Sequence, residues 1–209
     1  MTTRYRHFCP MARTLELVGD RWTLLVVRDL LLGPRRFNPL LDLCTGITPR
    51  QLTIALRRLE EAGVVARERA GREVWYRLTS RGETLAPVVD ELLAWGVRHA
   101  AVPPEADEPV HAEHVLNGTR VALQRAPQAP PHPVTWTWRF PDGPCALHWD
   151  GARWDVAEAG ADADVVIDTT ARAWAEFVTT PRTRRTLDDV RVTGERAAVD
   201  AFARSFVDA

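Results

Sequence analysis

The 209-residue chain has no lysine: all 27 of its basic residues are arginines, set against 28 aspartates and glutamates for a formal charge of −1. With its abundant alanine, that composition points to a GC-rich bacterial genome. Cysteine is sparse. Cys9, Cys44 and Cys145 lie far apart with no CxxC pair, which excludes a disulfide framework and reads as reduced thiols in a cytoplasm. Long apolar runs are also missing. The stretch from Leu24 to Leu32 is interrupted by Arg28 and Asp29, so no segment suits a membrane span. The start, MTTRYRHFCP, has basic residues with no apolar stretch behind them, unlike a secretory signal. No P-loop, GxSxG or GxGxxG motif occurs, so the sequence offers no phosphate cradle and no hydrolase nucleophile. The chain is read as a non-enzyme without a cofactor. His111-x-x-His114 and Cys145-x-x-His148 have spacings a metal can use; they match no known ligand order and are read as ordinary residues.

What is present divides in two. Hydrophobic residues make up 45% of the chain, enough for a buried core. Residues 1–102 hold 16 arginines and 11 acidic residues, a balance of +5, and residues 103–209 hold 11 and 17, a balance of −6. Only the first half is suited to a polyanion. Between them Ala101 to Val110, AVPPEADEPV, has three prolines and three acidic residues, a composition unable to form a helix or a central strand. The domains are therefore placed at 1–100 and 112–209, with a linker over 101–111.

The first half reads as helices, a hairpin and a last helix. Pro10 opens a first helix. Asp20 caps a second from Trp22 to Leu32, which Gly33-Pro34 ends. A short helix spans Asn38 to Leu43. Thr48-Pro49-Arg50-Gln51 is a capping box with proline at the first helical position, and its helix runs to Ala62 and stops at Gly63. Leu52, Ala55, Leu56, Leu59 and Ala62 share one face. Arg50, Thr53, Ile54 and Arg57 centre on the other, flanked by Gln51 and Arg58. Val64 to Arg69 and Val74 to Leu78 form a hairpin with Gly71 at its tip. Ser80-Arg81-Gly82-Glu83 is a second capping box; it opens a helix to His99 that Pro87 bends.

This order supplies a supporting helix, a basic recognition helix and a basic wing, the parts of a mainly α winged helix-turn-helix domain. Arg50 and Arg57 suit guanine edges or phosphates, and Thr53 and Ile54 suit thymine methyls. Thr48 and the free N–H groups of the first turn suit a phosphate, and Gln51 joins the set from the flank of the outer face. Arg58, Arg67, Arg69 and Arg72, with Arg35 and Arg36 beside the supporting helix, complete the candidate DNA-binding set. Any one of these arginines reads equally well as a solvated surface residue; the ordered set carries the assignment.

The same stretch resembles the HxlR-type winged-helix regulators of bacteria. The matching text is Cys9-Pro10, Leu15-Glu-Leu-Val-Gly-Asp-Arg-Trp-Thr-Leu-Leu25, Arg28-Asp-Leu-Leu-Leu-Gly-Pro-Arg-Arg-Phe37, Gly46-Ile-Thr-Pro49, Leu56-Arg-Arg-Leu-Glu-Glu-Ala-Gly-Val-Val65 and Tyr76-Arg-Leu-Thr79. The resemblance implies a cytoplasmic transcriptional regulator that binds a near-palindromic operator as a homodimer, through its first helix and residues 80–99. The apolar stripe of Leu85, Val88, Leu92, Trp95 and His99 fits that role and fits packing within the domain. Some relatives carry a redox thiol at the place of Cys9. Here Arg4, Arg6, His7 and a helix N-terminus lie beside it; an inert N-cap or core cysteine is the alternative.

After the linker the pattern turns extended: Val134 to Phe140, Cys145 to Trp149, Trp154 to Val156, Asp164 to Asp168 and Val190 to Thr193 read as strands, with helices at Arg172 to Val178 and Glu195 to Phe206. This is an α+β domain. Asp155-Val-Ala-Glu-Ala-Gly160, Ala163-Asp-Val-Val-Ile-Asp-Thr-Thr170, Trp174 to Thr180 and Asp189-Val-Arg-Val-Thr-Gly-Glu195 resemble the sterol-carrier-protein-2-like fold, over roughly Val110 to Val207. That resemblance implies a tunnel for a hydrophobic ligand. Trp136, Trp138, Trp149, Trp154, Trp174 and Phe177 are either its walls or a plain core. The functional expectation is a DNA-binding regulator modulated by an apolar small molecule. The alternatives are a hydrophobic-metabolite carrier whose winged helix meets protein, and a thiol switch at Cys9.

Overall fold

In a computed structural model, residues 5–160, 162–181 and 190–206 are described. Arg4, Asp189 and Val207, to which the sequence reading referred, lie outside them. The chain divides into two compact units, Met1–Glu91 and Leu92–Ala209. The division falls inside a helix, ahead of the proline-rich stretch.

The first unit holds α1 (Pro10–Val18), α2 (Thr23–Leu31), β1 (Arg35–Arg36), α3 (Phe37–Leu43), α4 (Pro49–Glu61), β2 (Val65–Ala70), β3 (Glu73–Leu78), α5 (Ser80–Glu83) and the start of α6 (Ala86–His99). Its small sheet has the order β1-β3-β2. Val26, Val27, Leu40, Leu52, Leu56 and Leu59 are buried, so the apolar face expected of α4 is the face that packs. The Asp20 carboxylate accepts from the N–H groups of Trp22 and Thr23 at 3.0 and 3.2 Å; α2 itself starts one residue later than expected, with Trp22 at the cap position, so Asp20 holds the turn that leads into the helix. Gly63 ends α4 at φ +68°. Its N–H reaches the Glu60 carbonyl and that of Val64 the Leu59 carbonyl, both at 2.9 Å, a Schellman stop that needs the left-handed residue.

Two local assignments are corrected. The cap before α5 is Thr79, not Ser80. Its hydroxyl accepts from Gly82 N–H at 3.1 Å and donates to the Gly63 carbonyl at 2.7 Å, a tie across the strand end that Ser80 is one residue too late to make. There is no single bent helix from 80 to 99. The short α5 stops and α6 restarts with Pro87 as its second residue, where a missing N–H breaks no helical bond.

The second unit holds the rest of α6, then α7 (Ala112–Gln124), β4 (Val134–Phe140), β5 (Gly143–Trp149), β6 (Trp154–Ala157), β7 (Val165–Asp168), α8 (Ala171–Thr179), β8 (Arg191–Gly194) and α9 (Arg196–Phe206). The sheet order is β6-β5-β4-β7-β8. β4 is antiparallel to β5 and parallel to β7, and β8 is antiparallel to β7. Residues 100–111 carry no helix or strand. Helix α7 was not anticipated, because Asn117-Gly118-Thr119, three weak helix formers, occupy its middle. Burial of Leu116, Val121 and Leu123 holds it. Gly194 closes β8 at φ +157°, and a Cβ there would lie 2.3 Å from the Asp164 carbonyl oxygen, so the glycine ending this strand is sterically required.

Among the described residues, no helix is long and apolar enough to cross a membrane.

Candidate nucleic-acid interface

Helix α4 follows α3 through a turn and is fixed at its start by a reciprocal cap. Thr48 Oγ1 accepts from Gln51 N–H at 3.2 Å, and Gln51 Oε1 accepts from Thr48 N–H at 2.9 Å. Thr48 was expected to meet a phosphate, and Gln51 was counted in the DNA-binding set. They are turned toward each other, so they position the start of the helix. Thr53 donates to the Pro49 carbonyl at 2.8 Å, which satisfies its hydroxyl and leaves the methyl group to the surface.

Arg50, Thr53, Ile54 and Arg57 are all exposed. Ile54 keeps 43% of its surface in solvent, an apolar side chain on an otherwise polar face and the size of a thymine-methyl contact. Arg57 pairs with Glu61 at 2.9 Å, both well exposed; such a pair is worth a few tenths of a kcal/mol and yields readily to a phosphate. Arg58 is placed differently. It is half-buried with its guanidinium 3.9 Å from Asp20, turned toward the end of the helix pair.

On the hairpin, Arg67 stands opposite Tyr76 and Arg69 opposite Val74, so both project from one face, and Arg72 lies in the turn. All three are exposed. Arg36 pairs with Glu73 and lies over the Trp75 ring at 5.5 Å, which ties β1 to the wing. Arg35 is half-buried opposite Tyr76. The sequence reading missed the Glu68–Arg77 pair on the other face of the hairpin. Arg77 donates to Glu68 at 2.6 Å, and this hydrogen bond holds the Glu68 carboxyl below the usual carboxylate range. Alternation along Glu68-Arg69 and Arg77-Leu78 was the available signal.

The second unit distributes its expected site residues as core. Trp136, Trp138, Trp154 and Trp174 are fully buried, with Trp149 and Phe177 nearly so. Their rings meet one another and α9: Trp136 lies 4.6 Å from Trp154 and 5.0 Å from Phe202, and Trp174 lies 4.8 Å from Phe177. The side chains offered as ligand walls pack instead against each other, because the α9 phenylalanines fill the face they present. A groove of about 460 Å³ does exist in this unit, and none of the six lines it. Its walls come from the end of α6, from α7, and from the last turns of α8 and α9, with Val97, Arg98, Val115, Arg125, Val178 and Phe206 among them.

The cysteines have distinct surroundings. Cys9 caps α1 at its N-terminus without a side-chain cap bond and is half-buried. Cys44 is buried and donates to Asp29 Oδ2 at 3.3 Å; burial, then the Asp29 charge, pushes its thiol up to about 12. Burial raises Cys145 as well. Brief iodoacetamide labelling of the native protein at pH 8, read by peptide mass spectrometry, is expected to leave Cys44 unmodified, because its thiolate is negligible there. Labelling of Cys44 as fast as in the denatured chain is the opposing result. Cys145 and His148 sit three apart on β5 and so on opposite faces of the sheet, which rules out a shared ion. His148 Nδ1 instead lies 2.9 Å from Thr135 Oγ1.

A family model described as HxlR-like helix-turn-helix matches residues 17–103. Over 91 residues the chain is 38% identical to the HTH-type transcriptional regulator YybR of Bacillus subtilis, which covers 42% of this chain and 73% of that protein. It is also 38% identical over 94 residues to YdeP of the same organism, covering 44% of this chain and 73% of that protein. Among solved structures, the redox regulator HypR in its oxidized form is 37% identical and covers 45% of this chain and 100% of that one, with a TM-score of 0.43.

Proposed function

The chain belongs to the HxlR-like helix-turn-helix family of transcriptional regulators, and from that membership we propose that it binds a near-palindromic operator as a homodimer and that its second unit senses an apolar small molecule. The observation that carries the DNA-binding part is the outer face of α4. A capped helix presents Arg50, Thr53, Ile54 and Arg57 together, all exposed, beside a wing bearing Arg67, Arg69 and Arg72. Phosphate contacts from the wing and first turn set the register, and the α4 face reads bases.

The homodimer rests on apolar side chains left in solvent. Phe8 is 92% and Met11 66% exposed at α1, and Leu92 is 52% and Trp95 62% exposed on α6. Isolated exposed hydrophobics are ordinary; those at α1 in the first unit and, separately, those on the part of α6 in the second unit are surfaces a second copy would cover. Two recognition helices would then lie about 34 Å apart, one turn of DNA. Light scattering after size exclusion is expected to give twice the chain mass for the native protein and the single-chain mass for Leu92→Glu with Trp95→Glu. Equal masses for both proteins would place the dimer contact elsewhere.

The sensing part rests on the second unit. A helix, a three-stranded antiparallel meander, a parallel fourth strand, a helix, a fifth strand ending in a sterically required glycine and a last helix support a sterol-carrier-protein-2-like reading. The groove supplies a place for a ligand. The deciding experiment is titration of the purified chain onto duplex DNA from upstream of its own gene at several salt concentrations. The expected result is a specific complex whose log affinity falls linearly with log salt, with a slope of about −0.9 per phosphate neutralised. Ligand binding without salt-sensitive DNA affinity would favour a carrier whose winged helix meets protein.

A further inference from the structure

We infer that Arg21, in the turn that leads into α2, binds a DNA phosphate on the flank of the recognition helix. The inference deepens the DNA-binding part of the proposed function and rests on it. Arg21 stands outside the arginines of α4 and the wing that carry that reading, and it is exposed. An α-helix with its side chains is about 10–12 Å across, and the major groove of B-DNA is about 12 Å wide. A helix seated there has a phosphate backbone along each flank, and a cation fixed beside the helix meets it.

Two contacts hold the 20–22 turn beside α4. At one end the Trp22 ring faces the turn that opens the recognition helix. Gly46 takes φ +88° there, and Ile47 N–H donates to the Cys44 carbonyl at 2.9 Å. A Cβ on Gly46 would sit 3.7 Å from Trp22 Cη2, in ordinary van der Waals contact. Thr48, the cap of α4, is two residues on. At the other end Asp20 lies 3.9 Å from the guanidinium of Arg58, on the flank of the outer face of α4. The Asp20 carboxylate also accepts from the N–H groups of Trp22 and Thr23, so it is committed to this frame. Arg21, between the two anchors, has its guanidinium carbon 5.0 Å from the centre of the Trp22 ring. That cation–π contact narrows the range of a long side chain and keeps its charge near the turn ahead of α4. A guanidinium stacked on a ring still offers its N–H edge, and a phosphate accepts from that edge in bidentate fashion.

The test uses the full chain, duplex DNA from upstream of its own gene and fluorescence anisotropy at several salt concentrations. Arg21→Gln is expected to weaken the specific complex by about tenfold and to lower the salt slope by about one for each protomer bound, with sequence preference unaltered. Arg21→Lys, which keeps the charge, should restore the slope. Circular dichroism should show both variants folded, since the side chain is exposed. Duplexes in which one phosphate at a time is replaced by an uncharged methylphosphonate then locate the contact. The native protein is expected to lose affinity at a phosphate to which Arg21→Gln has become indifferent. A native salt slope in Arg21→Gln overturns the inference. So does a methylphosphonate profile of the variant that parallels the native one at every position, which makes Arg21 a distant charge. Loss of slope in the glutamine and lysine variants alike assigns the effect to packing on Trp22 and overturns it too, and altered sequence preference makes Arg21 a base contact. In each of these cases the DNA-binding reading stands, because native binding keeps its salt dependence. If the native chain has no salt-sensitive DNA affinity, the inference and that reading fail together.

Discussion

Alanine at both Arg50 and Arg57 is expected to weaken operator binding by about a hundredfold or more while the protein stays folded and dimeric. Each good base contact contributes roughly 1–3 kcal/mol of discrimination, and a dimer loses every contact twice. Stability should change little. Arg50 and Arg57 are exposed, and the Arg57–Glu61 pair lies in solvent, so the substitutions belong to the surface class that shifts stability by about 0.5 kcal/mol or less. The matched control is Arg139→Ala with Arg153→Ala in the second unit, both exposed and paired with Asp168 and Asp155 at 3.9 and 2.7 Å, which removes the same two charges away from the recognition face. Fluorescence anisotropy at several salt concentrations separates the modes of contact. An arginine on a base loses sequence preference, whereas an arginine on phosphate lowers the salt slope by about one and leaves preference intact. Wild-type affinity in the double variant, with unaltered preference, would remove α4 from the interface.

The parts of this molecule that were legible in its sequence are those fixed by neighbours in the chain. Helix α4 was readable end to end because both boundaries are short-range chemistry: Thr48 and Gln51 close on each other three residues apart, and Gly63 takes the backbone conformation that stops it. The same locality gave its face, since 3.6-residue periodicity sorts Leu52, Leu56 and Leu59 from Arg50, Thr53 and Arg57. Legibility failed where distant partners decide. Helix α7 has Asn-Gly-Thr at its centre, and what holds it is burial of Leu116, Val121 and Leu123 together with the Thr119–Trp174 bond to α8. Thr79 rather than Ser80 makes the cap because the Gly63 carbonyl, distant in sequence, comes within reach of its hydroxyl. Gln51 shows the limit at a candidate site: its place on the flank of α4 was readable, and its commitment to the cap needed coordinates. For the tryptophans, a strand that alternates Trp136 and Trp138 states that one face is apolar. Whether that face meets a ligand or a helix is settled by Phe202 and Phe206, which lie on α9.

Those rings yield the largest stability effect. Trp174→Ala is expected to destabilise the second unit by about 3–5 kcal/mol, the range for removing a buried aromatic side chain. Trp174 is fully buried, lies 5.4 Å from Trp138 and 5.2 Å from Phe206, and donates to Thr119 at 3.0 Å. Alanine therefore opens a cavity between β4, α8 and α9 and removes the bond that fixes the middle of α7. Against a typical domain stability of 5–15 kcal/mol, most of the margin goes. The first unit has its own core of Val26, Leu40, Leu52, Leu56 and Leu59, so urea unfolding followed by circular dichroism should show one transition moved to much lower urea and one retained, with the specific DNA complex still forming before the retained transition. Two phenylalanine variants separate ring from hydrogen bond. Trp174→Phe keeps most of the packing and loses the bond to Thr119, at about 1–3 kcal/mol because the hydroxyl loses its buried donor. Trp138→Phe should be the milder change, although Trp138 is equally buried. Its indole N–H, like that of Trp136, has no hydrogen-bond partner among the described residues, so the substitution removes a buried unsatisfied donor along with its ring area, and those two terms oppose. If Trp138→Phe proves as damaging as Trp174→Ala, the indole N–H of Trp138 has an acceptor in solution, and the core around it holds a polar group or water that its ring contacts do not reveal.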